Sequence, residues 1–88
     1  MFDLGQVLAT PAALNALRRS SQSPADFIRR HGGGDWGDVD GRDWKQNDMA
    51  LREGGCILSS YKTGLGEQIW VITEADRSST CILLPENY

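Results

Sequence analysis

The sequence is short of the residues on which several kinds of small domain depend. It has two cysteines, Cys56 and Cys81, and a single histidine, His31, in 88 residues. Close cysteine and histidine spacings, which mark a structural zinc site, are therefore missing. The cytoplasmic setting expected for this chain favours free thiols. We expect free thiols, no metal and no cofactor.

Long apolar runs and an excess of basic residues are also missing. No apolar stretch approaches the roughly 20 residues that a membrane helix needs. The first residues lack the basic region of a signal peptide. We therefore expect a cytoplasmic protein with no membrane partner. Nine basic residues against twelve acidic ones give a net charge of −3, which argues against direct nucleic-acid binding.

Motifs that carry chemistry are weak. The three glycines after His31 follow a helix instead of opening one, so they do not form a phosphate-binding loop. The run Asp38–Gly41 lacks carboxylates at the first and last positions of a calcium loop. We expect His31 to lie at an exposed helix end, without a nucleophile beside it. A non-catalytic protein is favoured, and a small hydrolase is the weakest of three hypotheses.

The first half of the chain has clear helix boundaries. Two segments begin with a hydroxyl residue followed by proline, which is a side-chain cap followed by a residue suited to the first helical position. A third segment begins near an aspartate and ends at a glycine pair. The three predicted helices are 10–19 with Thr10 as cap, 23–31 with Ser23 as cap, and about 42–53 with Asp40 or Asp43 as cap.

The second half favours strands. β-Branched and aromatic residues are dense over 56–62, 67–74 and 79–84, and the links between these segments are short. Short links produce antiparallel pairing, with 67–74 in the centre. We therefore expect one α+β domain over residues 1–88, in which three short N-terminal helices pack on a three-stranded antiparallel β-meander.

The turns suggest a register for this meander. It places Ile57 beside Thr73, and Thr73 beside Cys81. Cys56 and Cys81 then lie on the two outer strands, on opposite faces and about 10 Å apart. A disulfide requires Cα atoms within about 7 Å, so none is expected.

Both faces of the predicted meander are apolar. A free antiparallel sheet with one wet face alternates apolar and polar residues. Three short helices can cover one face, and Trp70 is expected in the core. The second face is covered by the loops of the chain, by a second copy or by another protein partner.

Two charged segments, one of which contains a tryptophan in a loop, suggest a partner-binding surface. Its predicted members are Asp35, Trp36, Asp38, Asp40 and Asp43 between the second and third helices, and Glu74, Asp76 and Arg77 at the last hairpin tip. The plainer alternative is that both segments are solvated faces. For Trp36 the alternatives are a plug over the core and an exposed anchor of the kind found at binding hot spots.

Several short motifs together resemble a family of short bacterial proteins described as hypothetical or plasmid-related. They are Leu4-Gly5-Gln6-Val7, Thr10-Pro11, Asp35-Trp36-Gly37-Asp38, Ala50-Leu51-Arg52-Glu53-Gly54, Trp70 to Ser78 and Ile82 to Tyr88. The resemblance covers nearly the whole chain, and the hairpin motif is its most specific part. It implies residence on plasmids, integrated elements or phages, and it implies no enzymatic activity and no functional residues.

Size and acidity are similar to those of inhibitors that mobile elements direct against host defence, the anti-CRISPR and anti-restriction proteins. The first hypothesis is therefore an inhibitor of a host nuclease complex that acts by occlusion. The second is an antitoxin-like or regulatory accessory protein that dimerises through its sheet.

Overall fold

The computed structural model describes residues 2–88 and has the α+β composition expected from the sequence. In chain order its elements are β1 (Gln6–Ala9), α1 (Pro11–Arg19), α2 (Pro24–Gly32), α3 (Gly41–Glu53), β2 (Ile57–Lys62), β3 (Gln68–Thr73), β4 (Ser79–Leu83) and a 3-10 turn at Pro85–Asn87. The radius of gyration is 12.1 Å.

The helix starts follow the capping chemistry of the sequence. The Thr10 hydroxyl accepts a hydrogen bond from the N–H of Ala13 at the start of α1. Ser23 and Asp26 form a reciprocal capping box at the start of α2. Of the two candidate caps for α3, Asp40 is the one that the structure uses, because its carboxylate accepts from the N–H of Asp43 at 2.8 Å.

The sheet has one strand more than the sequence predicted. Its order is β1-β4-β3-β2, with β1 parallel to β4 and the other pairs antiparallel. The expectation of a purely antiparallel, three-stranded meander with all helices at the N-terminal side is therefore wrong in detail. A four-residue strand has almost no alternation signal of its own, and its partner comes from the far half of the sequence.

The predicted register is correct for the β2–β3 pair and wrong for the β3–β4 pair. Ile57 lies opposite Thr73 as predicted, but Thr73 lies opposite Thr80, and Cys81 lies opposite Ile72. The turn is one residue tighter than expected, because Arg77 takes a left-handed φ of 62°. Cys81 therefore moves to the other face, where Cys56 and Cys81 line the same groove as free thiols.

The inner face of the sheet is covered by α1 and α2. Its main core cluster consists of buried side chains from both helices and three strands: Ala13, Leu17, Phe27, Tyr61, Ile69, Val71 and Ile82. A second cluster, Trp36, Ala50 and Ile57, forms where α3 meets β2, and Trp44 and Leu51 of α3 pack against it half-buried.

The outer edge of β2 is covered within the described residues. The Asn47 side chain of α3 donates to the carbonyl of Leu58 at 2.7 Å and accepts from its N–H at 3.1 Å. Two positions further along, Ser60 exchanges backbone hydrogen bonds with Trp36 and Asp38, at 3.1 Å and 2.6 Å. Gly37 is required here, because its φ is +75° and a Cβ atom would lie 2.1 Å from the carbonyl oxygen of Ser60.

Candidate functional site

Asp35, the first residue of the predicted partner-binding surface, forms hydrogen bonds within the chain. Its carboxylate forms an ion pair with Arg30 at 2.8 Å and accepts from the N–H of Gly37 at 3.0 Å. The hydrogen bond from Arg30 is the main reason that the pKa of Asp35 lies below its usual value. Its carbonyl accepts from the Tyr61 hydroxyl at 2.6 Å, and burial raises the pKa of that phenol to about 12.

Trp36 is a core plug, and the alternative of an exposed anchor is wrong. The residue is 0% exposed, and its indole N–H donates to the Asp48 carboxylate at 3.1 Å. Phe2 and His31 pack against the indole with ring centroids at 6.1 Å and 5.7 Å. An aromatic ring held in this way is not available to a partner. Asp48, which sequence reasoning did not single out, is needed because a buried indole N–H requires an acceptor.

The other acidic residues of the first segment come together at one corner of the molecule. Asp38, Asp40 and Asp43 are all exposed, between Gly37 and the first turn of α3. Asp40 is partly engaged as the helix cap. We call these three residues the acidic corner. It adjoins the covered edge of β2, since the backbone N–H of Asp38 donates to the carbonyl of Ser60.

The hairpin tip lies at the opposite end of α3 and is not brought to the acidic corner. Arg77 donates to the carbonyls of Ala50 and Gly55 at 2.9 Å and 2.7 Å, where α3 ends. Because α3 has 13 residues, its two ends are about 20 Å apart. The carboxylate of Asp76 accepts from the N–H of Ser78, and hydrogen bonding to Ser78 lowers its pKa. Glu74 is exposed.

The outer face of the sheet is an apolar part of the surface. Leu8, Cys81, Ile72 and Leu58 form a row across all four strands, because each is the register partner of the next. Leu8 is 45% exposed and the other three are partly exposed. None of the helices over residues 2–88 covers this row. The uncovered face predicted from the sequence is therefore present, and we refer to these four residues as the outer row.

Trp70 belongs to this outer face and not to the core. It is half-buried, and Tyr88 packs edge-on against it with ring centroids 5.8 Å apart. Next to this pair lies a groove of about 340 Å³, lined mainly by apolar side chains of β2, β3 and β4 with Cys56 and Tyr88 at its sides. The aromatic pair covers one end of the face and leaves the outer row accessible.

His31 is buried, which corrects the expectation of an exposed helix end. It is 0% exposed and follows Phe27 by four positions, so both side chains lie on the inner face of α2. That spacing is the sequence signal that could have located it. Its two ring nitrogens contact the Ser59 and Thr73 hydroxyls, the latter at 2.8 Å.

The hydrogen bonds around His31 have one direction. The Thr80 hydroxyl donates to the carbonyl of Leu4 at 2.7 Å, because a carbonyl can only accept. Thr73 must then donate to Thr80, at 2.7 Å, and accept from Nε2–H of His31. In a neutral ring with its proton on Nε2, Nδ1 accepts from the Ser59 hydroxyl. Burial lowers the pKa of His31 to about 4, in agreement with that state.

A serine that donates to an imidazole is the usual arrangement of an activated nucleophile. Here Ser59 and His31 are both 0% exposed, so a substrate has no path to the hydroxyl in this conformation. The chain of hydroxyls instead satisfies every member of a buried polar network that joins β2, α2, β3 and β4.

Among residues 2–88, no group of three or more metal-ligating side chains lies together. Over the same residues, no helix is both long and apolar enough to cross a membrane. Comparisons of the chain with protein families, with curated proteins and with solved structures gave no match. The geometry of the site and the sequence are therefore what bear on function.

Proposed function

We propose that this protein is a non-catalytic protein-binding module of a mobile genetic element. In this proposal it acts in the cytoplasm as an inhibitor of a host defence nuclease complex, of the anti-CRISPR or anti-restriction type, by occlusion. The observation that carries the proposal is the outer row, an apolar strip that crosses all four strands without a helix over it. Uncovered apolar strips of this kind are typical of protein interfaces.

The surroundings of the outer row support docking of a protein. Protein interfaces combine an apolar centre with a polar rim. The outer row supplies the centre, and the acidic corner lies beside the same sheet at the edge of β2. The acidic corner supplies negative charge at the rim. Asp38 and Asp43 are exposed, so their carboxylates can contact a partner without breaking a buried ion pair.

The chemistry of the partner follows from this arrangement. A surface complementary to it has exposed apolar side chains flanked by lysine or arginine residues. The nucleic-acid-binding groove of a nuclease provides such basic groups, since it must neutralise phosphates. Occupation of that groove by the acidic corner would exclude the nucleic acid and so inhibit the enzyme.

An antitoxin-like or regulatory accessory protein is the second candidate. The observation in its favour is again the sheet, whose β1 edge and outer row are open to association. A toxin partner would bind the same chain without any effect on host nucleases, so the two candidates differ in their measurable consequences.

The test is a plating assay. The protein is expressed in bacteria that carry a CRISPR or restriction system, and plaques of a phage that the system excludes are counted. We expect the wild-type protein to restore plaques. Ile72→Glu, which places a charge in the middle of the outer row, should abolish this effect at an unchanged melting temperature. Asp38→Lys should weaken it, and more strongly at low salt.

The matched control is Leu65→Glu. Leu65 is 64% exposed in the β2–β3 turn and outside the outer row, so the same change of charge there should leave inhibition intact. Full inhibition by a correctly folded Ile72→Glu variant would remove the outer row from the mechanism. Absence of plaques with the wild-type protein in every system, together with neutralisation of a toxin, would favour the second candidate.

A further inference from the structure

The two edges of the sheet differ in how their backbone groups are satisfied. In a parallel pair, alternate residues of a strand bond to the partner. Gln6 donates to the carbonyl of Ser78, just before β4, at 3.0 Å, and Thr10 donates to that of Ile82 in β4 at 2.9 Å. The N–H and C=O groups of Val7 and Ala9 therefore point away from β4. Neither residue has a backbone hydrogen bond to any other part of residues 2–88.

The outward edge of β2, in contrast, is covered at two positions by Asn47 and by the loop over 36–38. Natural sheets protect an exposed edge with charge, proline or a covering segment, because an open edge pairs with other strands. β1 has none of these. Gln6–Ala9 contains no charged residue, and Val7 and Leu8 are 47% and 45% exposed.

We propose that the β1 edge is a self-association site, at which a second copy of this chain adds its own β1 in antiparallel orientation. This inference is independent of the proposed function. A two-fold axis places two identical strands side by side in antiparallel orientation. A strand can therefore pair with a second copy of itself when its outward N–H and C=O groups lie opposite those of the reversed strand.

The outward groups of β1 fix the register. When Leu8 faces Leu8 of the second copy, Val7 pairs with Ala9 and Ala9 with Val7, and each pair exchanges two hydrogen bonds. All outward groups of both strands are then satisfied. Pairing extends no further, because Pro11 has no N–H and Gly5 leaves the extended conformation at a φ of 63°.

This register also joins the two outer faces. Leu8 ends the outer row of one copy and lies beside Leu8 of the other, in a narrow pair with Cα atoms about 4.5 Å apart. The two outer rows become one apolar strip across eight strands. A strand of four residues is only about 13 Å long, so the interface is small and the dimer should depend on concentration.

The experiment is a charge exchange at the axis, read by sedimentation velocity. The wild-type protein should pass from monomer to dimer as its concentration rises from about 10 µM to about 1 mM, since a small interface is typical of weak association. Leu8→Lys alone and Leu8→Glu alone place like charges directly opposite and should each weaken dimerisation by about tenfold or more. An equal mixture of the two variants should form a dimer again.

Two further variants complete the design. Val7→Pro removes an outward N–H but no bond to β4, so it should prevent dimerisation and leave the melting temperature close to that of the wild-type protein. Leu65→Lys, at an exposed position far from β1, should dimerise normally.

Three results would overturn the proposal: a wild-type protein that stays monomeric at 1 mM, a mixture of the charge variants that does not recover, or a Val7→Pro variant that folds and still dimerises. A further outcome is a protein that stays monomeric and whose Val7 and Ala9 amides are protected from hydrogen exchange only when a different protein is added. That result would show that the β1 edge binds a strand of another protein.

Discussion

Among single residues, His31 has the widest set of partners. It belongs to α2, contacts hydroxyls of β2 and β3, and is connected through Thr73 and Thr80 to the carbonyl of Leu4. The rings of Phe2 and Trp36 enclose it, with centroids at 5.4 Å and 5.7 Å. A charged imidazole in this position would lose hydration without gaining an acidic partner, which is why the neutral ring is preferred.

We predict from this that stability decreases in mildly acidic solution. The pKa of His31 is lowered from 6.5 to about 4, so the unfolded chain binds the proton more tightly than the folded one. The contribution is fully present above pH 6.5 and is lost as the pH falls towards 4, by about 3 kcal/mol of unfolding free energy in total. Urea denaturation between pH 7 and 4 measures this.

His31→Gln is the control, because it keeps a polar amide at the site but does not titrate. Its unfolding free energy should vary less with pH over the same interval. The Asp35 carboxyl also titrates with a lowered pKa, but its contribution is lost as the pH falls below its ordinary value of 3.8, outside this window. Equal pH dependence in both proteins would contradict the prediction.

Among the elements, α3 is attached to β2 by a side-chain amide in addition to its small apolar cluster. Asn47 pairs with both backbone groups of Leu58, as a neighbouring strand would. Arg77 holds the other end of the helix by donating to the carbonyl of Ala50 in its last turn and to that of Gly55 just beyond it. The helix thereby covers an edge that would otherwise be free to pair with other chains.

Asn47→Ala should therefore destabilise the protein by about 2 kcal/mol, since it leaves a partly buried N–H and C=O of Leu58 without partners. For a domain of this size that corresponds to a decrease in melting temperature of roughly 10 °C. Differential scanning calorimetry measures it, and hydrogen exchange at the Leu58 amide should become faster. Gln46→Ala, at the exposed neighbouring position, should change stability by less than about 0.5 kcal/mol.

Local chemistry explains which elements were predictable. The three helices follow from caps and prolines that act within one turn, and the strand order of β2, β3 and β4 follows from short links. β1 depends on a partner far away in the sequence, and the register of β4 depends on the unusual φ of Arg77. Neither quantity can be obtained from composition or periodicity.

The same distinction applies to the site. The uncovered apolar face was predictable because both faces of the strands are apolar in sequence. The structural roles of Asp35 and Asp40 were less predictable. The sequence around a loop aspartate does not show whether its carboxylate binds within the chain, as Asp35 binds Arg30, or binds a partner. The burial of Trp36 required knowledge of Asp48, twelve positions away, as its acceptor.

At the scale of the whole molecule, the protein has one covered and one open face. The two free cysteines both line the groove on the open face, Cys56 exposed and Cys81 half-buried. Their reaction with a thiol reagent therefore reports on the accessibility of this face, and no cysteine has to be introduced. A partner that covers this face should protect both thiols from reaction.

For the protein alone, we predict that a thiol reagent at neutral pH modifies Cys56 before Cys81. Burial raises the pKa of the Cys81 thiol, which leaves less of the reactive thiolate, and the side chain is less accessible. In denaturant both thiols should react without prior reduction. Mass spectrometry of timed samples measures the order. Faster modification of Cys81 than of Cys56, or fewer than two reactive thiols per chain in denaturant, would contradict this description of the face.

The parallel pairing of β1 with β4 has a consequence for the moment at which the sheet is completed. During synthesis β1 leaves the ribosome before its partner residues, Ser79 to Ile82, which follow only after all three helices and both strands of the β2–β3 hairpin. Until then β1 lacks β4, its neighbour in the sheet. Closing this long loop is entropically slow, so the nascent chain must wait with an uncharged, unpaired segment in solution.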